Sequence, residues 1–215
     1  MDQGSGLTLD QIDTLSVTSA QFYQEDKVLY MTGGYGFRNS VNQYVTFDVL
    51  TAIDIPGLID WVINPKGKKL ARHYIRQISH PIFTVTGGAM YKLSSKGPTL
   101  LVFGQNFYGP YQEGAAIQIY TKEIRRFNIQ DNGKDLGVEI LASSNQEEYF
   151  RRRDLNVVPT LRYSKSKGYI FGLAALSGVF TESGGGWTVP VTINAQGKPT
   201  MQDPNDPKTF KQGMN

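Results

Sequence analysis

The chain contains no cysteine. That removes disulfides, thiolate metal sites and cysteine nucleophiles, and leaves the question of compartment open. Histidine is nearly absent, with only His73 and His80. No apolar run approaches the roughly 18 residues that suggest a membrane helix, so membrane insertion is not expected. The N-terminus MDQGSGLTLDQ lacks the basic flank and apolar stretch of a signal peptide. A large excess of positive charge is also missing. Twenty-two Lys and Arg face 19 Asp and Glu, for a net charge of +3, so nothing here calls for nucleic acid.

What the 215 residues do contain is 40% hydrophobic residues, 12% aromatics and 23 glycines. That composition supports a folded core, and segments rich in Val, Ile, Tyr and Phe point to an all-β protein. The stretch VTGGAMY (85–91) has weaker copies, VTSAQFY (17–23) and VVPTLRY (157–163). Each copy leads through a short polar turn, QEDK, SSKGP or SKSKG, into an apolar strand that ends in glycine: KVLYMTGGYG (27–36), TLLVFGQNFYG (99–109) and GYIFGLAALSG (168–178). A third strand follows after a loop, at 44–55, 117–129 and within 186–197. A fourth is legible at 73–79 and 137–143, and the third unit is read as lacking one. The apolar spacing of Leu58, Ile59, Val62 and Ile63 after Pro56 predicts one short helix near 57–64.

Repeated antiparallel meanders of this size are what the blades of a β-propeller require, because one such sheet cannot bury both of its faces alone. The run LYMTGGYG followed by YVTFDVLTAIDI, with Gly33 and Gly34 adjacent, resembles a kelch repeat. RRRDLNVVP (151–159) is similar to the entry of a blade in large exported kelch-like bacterial proteins. The resemblance covers residues 13–197 and implies a partial kelch-like propeller, with blades at 13–79, 80–145 and 154–197 and an extended or frayed tail at 198–215. It departs from the pattern in its second and third units, which lack the double glycine, and closed propellers have four to eight blades. A chain that is part of a longer protein is one expectation from this count. Self-association through blade faces left open is another. The resemblance implies a secreted, periplasmic or cell-surface location.

Chemistry is sparse in the sequence. Without cysteine, the cross-linked radical site of kelch-like copper oxidases is excluded, and the sialidase turn Ser-x-Asp-x-Gly-x-x-Trp does not occur. GGYGFR fails the dinucleotide fingerprint, and NAQGKPT fails the phosphate loop. His73 and His80 lack a metal-ligand spacing. No catalytic residue, metal site or cofactor is assigned. For Arg125, Arg126 and Arg151–Arg153, ion pairs with Glu123, Glu147, Glu148 and Asp154 are the expected role, ahead of anion binding. The informative segments are the loops after the second strands, at 34–44, 105–114 and 177–187. They leave equivalent strand ends and carry aromatics with amides and hydroxyls, groups that stack on sugars or grip a protein loop. Phe37, Arg38, Asn42, Phe107, Tyr108, Tyr111 and Trp187 are the candidate ligand-binding residues. The function read from this pattern is a non-catalytic binding module with a protein or glycan partner. The alternatives are a carbohydrate-active propeller enzyme of epimerase or lyase type, and a fragment without independent function.

Overall fold

The computed structural model describes residues 3–64, 69–112 and 114–212. The chain opens with α1 (Leu9–Leu15). The first repeat then runs β1 (Gln21–Glu25), β2 (Val28–Thr32), β3 (Tyr35–Arg38), β4 (Gln43–Thr46), β5 (Val49–Asp54), α2 (Ile55–Ile63) and β6 (Ile75–Ser79). The second comprises β7 (Ala89–Lys92), β8 (Thr99–Val102), β9 (Gln105–Tyr108), β10 (Ile117–Tyr120), β11 (Ile124–Asp131) and β12 (Leu136–Leu141). The third holds β13 (Asn156–Ser164), β14 (Gly168–Leu176), β15 (Val191–Asn194) and β16 (Pro199–Met201). Three four-stranded sheets result, ordered β1-β2-β5-β6, β12-β11-β8-β7 and β13-β14-β15-β16. The pairs β1-β2, β2-β5, β5-β6, β7-β8, β8-β11, β13-β14, β14-β15 and β15-β16 are antiparallel. The protein is all-β, built of propeller-like blades, and no sheet among the described residues closes into a barrel.

Two expectations need correction. The third strands anticipated at 44–55 and 117–129 are each broken in two, and their first halves fold back as the two-stranded ribbons β3-β4 and β9-β10. The third repeat does have a fourth strand. It comes from the segment expected to be an extended or frayed tail, where β16 pairs with β15 through Val191 with Met201 and Ile193 with Pro199. Beyond it, the Gln212 N–H donates to the Thr188 carbonyl at 2.8 Å. The short helix is present as α2, where the Asp54 carboxylate caps the Gly57 N–H at 3.0 Å and Pro56 sits in the first turn. Helix α1 was not anticipated, although its signal was legible: Thr8 and Gln11 make a reciprocal capping box.

The repeat is written in the backbone. Ser19, Gly87 and Asp154 each adopt a positive φ two positions before a first strand. Each second strand ends in two consecutive left-handed residues, Gly33–Gly34, Phe103–Gly104 and Ser177–Gly178. The hydrogen bonds follow suit. Gly34 N–H donates to the Val85 carbonyl at 2.9 Å, and Gly104 N–H to the Arg152 carbonyl at 2.8 Å. Phe47 N–H returns to Gly34, and Thr121 N–H to Gly104. These bonds break the long third strands, because the carbonyl of the second left-handed residue takes the N–H where the ribbon ends. They also correct the alignment: Val17 and Val85 match Arg152, so the third copy begins five residues earlier than VVPTLRY.

Contacts divide the chain into two compact units, residues 1–86, 106–119 and 129–138, and residues 87–105, 120–128 and 139–215. In the first, Phe47, Leu50, Ala52, Phe83 and Val85 are buried. Burial of each large side chain contributes about 1.5–3 kcal/mol. The same unit encloses an ion pair. Arg76 donates to Asp131 twice, at 3.1 and 2.7 Å, while the Tyr30 hydroxyl and the Gly133 N–H add bonds at 3.1 and 2.9 Å. Burial by itself would raise the Asp131 carboxyl, but the bonds from Arg76, Gly133 and Tyr30 outweigh it and hold the group below the ordinary carboxylate range. Burial, with Asp131 beside it, pushes the Tyr30 phenol up.

The core of the second unit joins Leu100, Val102, Phe103, Ile124 and Phe150 with Val157, Leu173, Ala175, Val191 and Ile193. The rings of Phe103 and Phe150 stack at 5.3 Å. Beside this core lies Arg152, wholly buried and without a carboxylate. Its guanidinium donates to the carbonyls of Tyr149, Ser177 and Val189 at 3.0, 2.9 and 2.8 Å and to the Met201 sulfur at 3.0 Å. Burial pushes it down to about 10, still well above neutrality, so it ties four chain segments as a cation.

A Cβ at Gly33, where φ is +63, would lie 1.9 Å from the Val85 carbonyl oxygen. Gly33→Ala is therefore expected to cost about 3 kcal/mol or more, whereas Gly184→Ala, at φ +83 in open space, should cost about 1 kcal/mol. Urea unfolding of the two variants measures the difference. For Asp131 the folded pKa lies below the unfolded value of about 4, so its stabilisation is complete above that pH and is lost as pH falls through the folded value. Asp131→Asn should cost about 3 kcal/mol at pH 7 and flatten the acid limb of a stability–pH curve.

Candidate functional site

The ribbons that follow the second strands place the candidate aromatics. In the β3-β4 ribbon, Tyr35 pairs with Thr46 and Phe37 with Tyr44, which sets these four side chains on one face. Arg38 pairs with Gln43 on the opposite face. Tyr35 and Tyr44 stack at 5.7 Å, and Phe37 meets Tyr44 edge-on at 5.2 Å. Phe107 of β9 meets the Tyr35 ring edge-on at 5.1 Å and lies 5.4 Å from Tyr111. Five rings thus form one contiguous group. Phe107 is its buried base, and Phe37, Tyr44 and Tyr111 are 37%, 42% and 70% exposed.

Hydrogen bonds hold the two ribbons together. The Thr46 hydroxyl accepts from Phe107 N–H at 2.8 Å and donates to the Phe107 carbonyl at 3.0 Å. Gly109 N–H donates to the Tyr44 carbonyl at 2.9 Å, and the Tyr35 hydroxyl donates to the Gly109 carbonyl at 2.7 Å. The Tyr35 phenol is raised by its burial first and by Tyr44 second, so it remains a donor at neutral pH.

On the other face of the ribbon, Arg38 lies 4.5 Å from the Phe47 ring centroid and pairs with Asp48 at 2.8 Å. It lines a polar cleft of about 400 Å³ with Asp10, Asp48, Gln77 and Ser79. Asp13 of α1 braces the ribbon loop, accepting from Asn39 N–H at 2.8 Å and from its side-chain amide at 2.7 Å. Asn42 sits at φ +50 in that loop, and its N–H closes on Asn39 at 3.2 Å. Asparagine suits this left-handed position, which makes Asn42 a turn residue.

The structure therefore unites Phe37, Phe107 and Tyr111 and separates Arg38, Asn42 and Tyr108 from them. Tyr108, 46% exposed, follows Phe107 on its strand and so takes the opposite face. Trp187 belongs to the second unit and serves Arg152. Its ring centroid lies 4.8 Å from that guanidinium, its indole N–H donates to the Arg151 carbonyl at 2.8 Å, and Tyr149 meets it edge-on. Sequence reasoning passed over Tyr35 and Tyr44 as site members. Their signal was the alternation Tyr35-x-Phe37 against Tyr44-x-Thr46.

The arginines divide as well. Arg125 pairs with Glu123 at 3.1 Å and Arg153 with Asp154 at 3.3 Å, as expected. Arg151 instead covers the Tyr120 ring at 4.0 Å and donates to the Phe180 carbonyl, while Glu148 pairs with Lys122. His80 accepts the Ile82 N–H at 3.1 Å and caps the turn that leads into the second repeat.

Thr46→Val keeps the shape of the ribbon junction but leaves the buried N–H and carbonyl of Phe107 without the hydroxyl. It should destabilise the fold by about 2 kcal/mol, with Thr46→Ser close to wild type, as read by chemical denaturation.

No protein-family model matches the chain, and no curated protein matches it. Among solved structures, 28 chains match. One of them, "Structure of YjhT", is 11% identical with a TM-score of 0.50, over 90% of this chain and 54% of that one. The chain spans about half the length of that structure, and at this identity the similarity is one of fold. Together with the four-stranded sheets, it supports a β-rich, propeller-like architecture.

Proposed function

We propose that the chain is a non-catalytic binding module of a kelch-like propeller protein, with the aromatic surface of its first unit as the recognition site. What carries this reading is the convergence of Phe37, Tyr44 and Tyr111, all exposed, on a base formed by Tyr35 and Phe107. Two ribbons from different repeats supply these rings, and hydrogen bonds from the Tyr35 and Thr46 hydroxyls to the facing backbone fix them before any ligand arrives. Rings positioned in this way lose little conformational freedom on binding. Their apolar faces, with phenol hydroxyls at the rim, suit the face of a sugar or an apolar protein loop flanked by polar groups. Arg38 and the acidic groups of its cleft lie on the reverse of the same ribbon and are not needed for this contact.

Binding is tested on a glycan array and by capture of candidate protein partners with wild type and the Phe37→Ala/Tyr111→Ala variant. Both residues are exposed, so the variant should keep its melting temperature within a few degrees. Affinity for whichever ligand the wild type binds should fall at least about tenfold. Undiminished binding by a folded double variant rules out this surface as the recognition site.

A further inference from the structure

We infer that the second unit carries an oxyanion site built on Arg126, separate from the aromatic surface and independent of it. Arg126 lies on β11 opposite Leu100, on the same strand face as Ile124, which is opposite Val102. Leu100, Val102 and Ile124 all belong to the core of the unit, so this arginine occupies a core-facing position. Its stem runs past Gly197, where a Cβ would lie 3.5 Å from the Arg126 Cδ and 2.7 Å from Leu100. The glycine is required by Leu100 and by its φ of +77, and the arginine stem lies in ordinary contact beside it.

Among the described residues the Arg126 guanidinium has no hydrogen-bond or ion-pair partner. Arg126 Nε is buried without a hydrogen bond, and the side chain forms no ion pair with any described residue. Its sequence neighbours differ in having partners: Arg125, Arg151, Arg152 and Arg153 meet carboxylates, carbonyls or aromatic faces, although Arg153 Nε is likewise buried without a hydrogen bond. A buried charged donor left unsatisfied is costly and calls for an acceptor. Arg126 borders a cleft of about 290 Å³ that is also lined by Lys198, Ser143, Asn145, Gln196 and Glu147. Lys198 makes no ion pair either.

A planar guanidinium and a second cation lining the same cleft match the oxygens of one anionic group. The amides and hydroxyl around it match alcohol groups on the rest of the ligand. The class is therefore the phosphate or carboxylate of a small hydroxylated molecule. Glu147, on the same lining, opposes the anion and weakens its binding.

The experiment follows arginine Nε–H resonances by ¹⁵N NMR while inorganic phosphate, glucose 6-phosphate, glucuronate or neutral glucose is added. Wild type should show a saturable shift of the Arg126 resonance with at least one anion and none with glucose. A tighter constant for glucose 6-phosphate or glucuronate than for inorganic phosphate marks a hydroxylated ligand, and equal constants for the two phosphates mark the bare ion; either supports the site. Arg126→Met, which keeps the stem, should weaken binding at least about tenfold, and Glu147→Gln should tighten it about threefold. The Glu147→Gln variant decides the matter if Arg126→Met does not fold. The proposal fails if no anion gives saturable shifts in wild type or Glu147→Gln, or if Arg126→Met binds as wild type does.

Discussion

Each second strand ends in two left-handed residues, and the rest of the structure depends on that backbone constraint. At Gly33–Gly34 and Phe103–Gly104 the chain turns away from the ladder, sends an N–H to a carbonyl at the start of the following repeat, and takes an N–H back from the third strand. A residue with a side chain is strained in this conformation. Phe103 tolerates it at φ +56, fully buried in the core of its unit. Gly33 tolerates nothing larger, because the Val85 carbonyl occupies the space where a Cβ would be. The same turn ejects the following residues as a separate ribbon, so the device that links one repeat to the next also builds the candidate recognition surface.

Charge is buried in two ways. Asp131 and Arg76 neutralise one another within a cage of donors, an arrangement whose value lies in complete satisfaction. Arg152 has no counter-charge among the described residues and instead collects the carbonyls of Tyr149, Ser177 and Val189. It stands where Val17 and Val85 stand in the other repeats. The third repeat, whose loop 177–190 forms no ribbon, thus uses a cation where the others use an apolar side chain and a hairpin. Trp187 is part of that solution, its ring packed on the Arg152 guanidinium and its indole N–H bonded to the Arg151 carbonyl.

The aromatic surface and the Arg126 cleft differ in kind. The former is held by hydrogen bonds between its ribbons, and what it offers is apolar area. The latter is incomplete, because its central cation lacks an acceptor. An apolar contact of the first kind is broad in specificity, whereas an unsatisfied guanidinium selects sharply for charge.

Composition and short-range pattern were enough to establish an all-β chain of four-stranded repeats, the short helix after Pro56, and the aromatic character of the loops following the second strands. These follow from local rules: alternation, turn chemistry and the conformational freedom of glycine at Gly33–Gly34. The phase of the third repeat was not legible, because Val157 and Tyr163 imitate a side-chain pattern while the true repeat is the left-handed backbone at Asp154. Nor could sequence reveal that Pro199–Met201 completes a sheet, that Arg152 is enclosed while Arg126 lacks a partner, or that Phe37 and Trp187 serve different purposes. Those outcomes depend on which groups are brought within hydrogen-bonding reach by strand pairing and loop closure, and only the folded chain sets those distances.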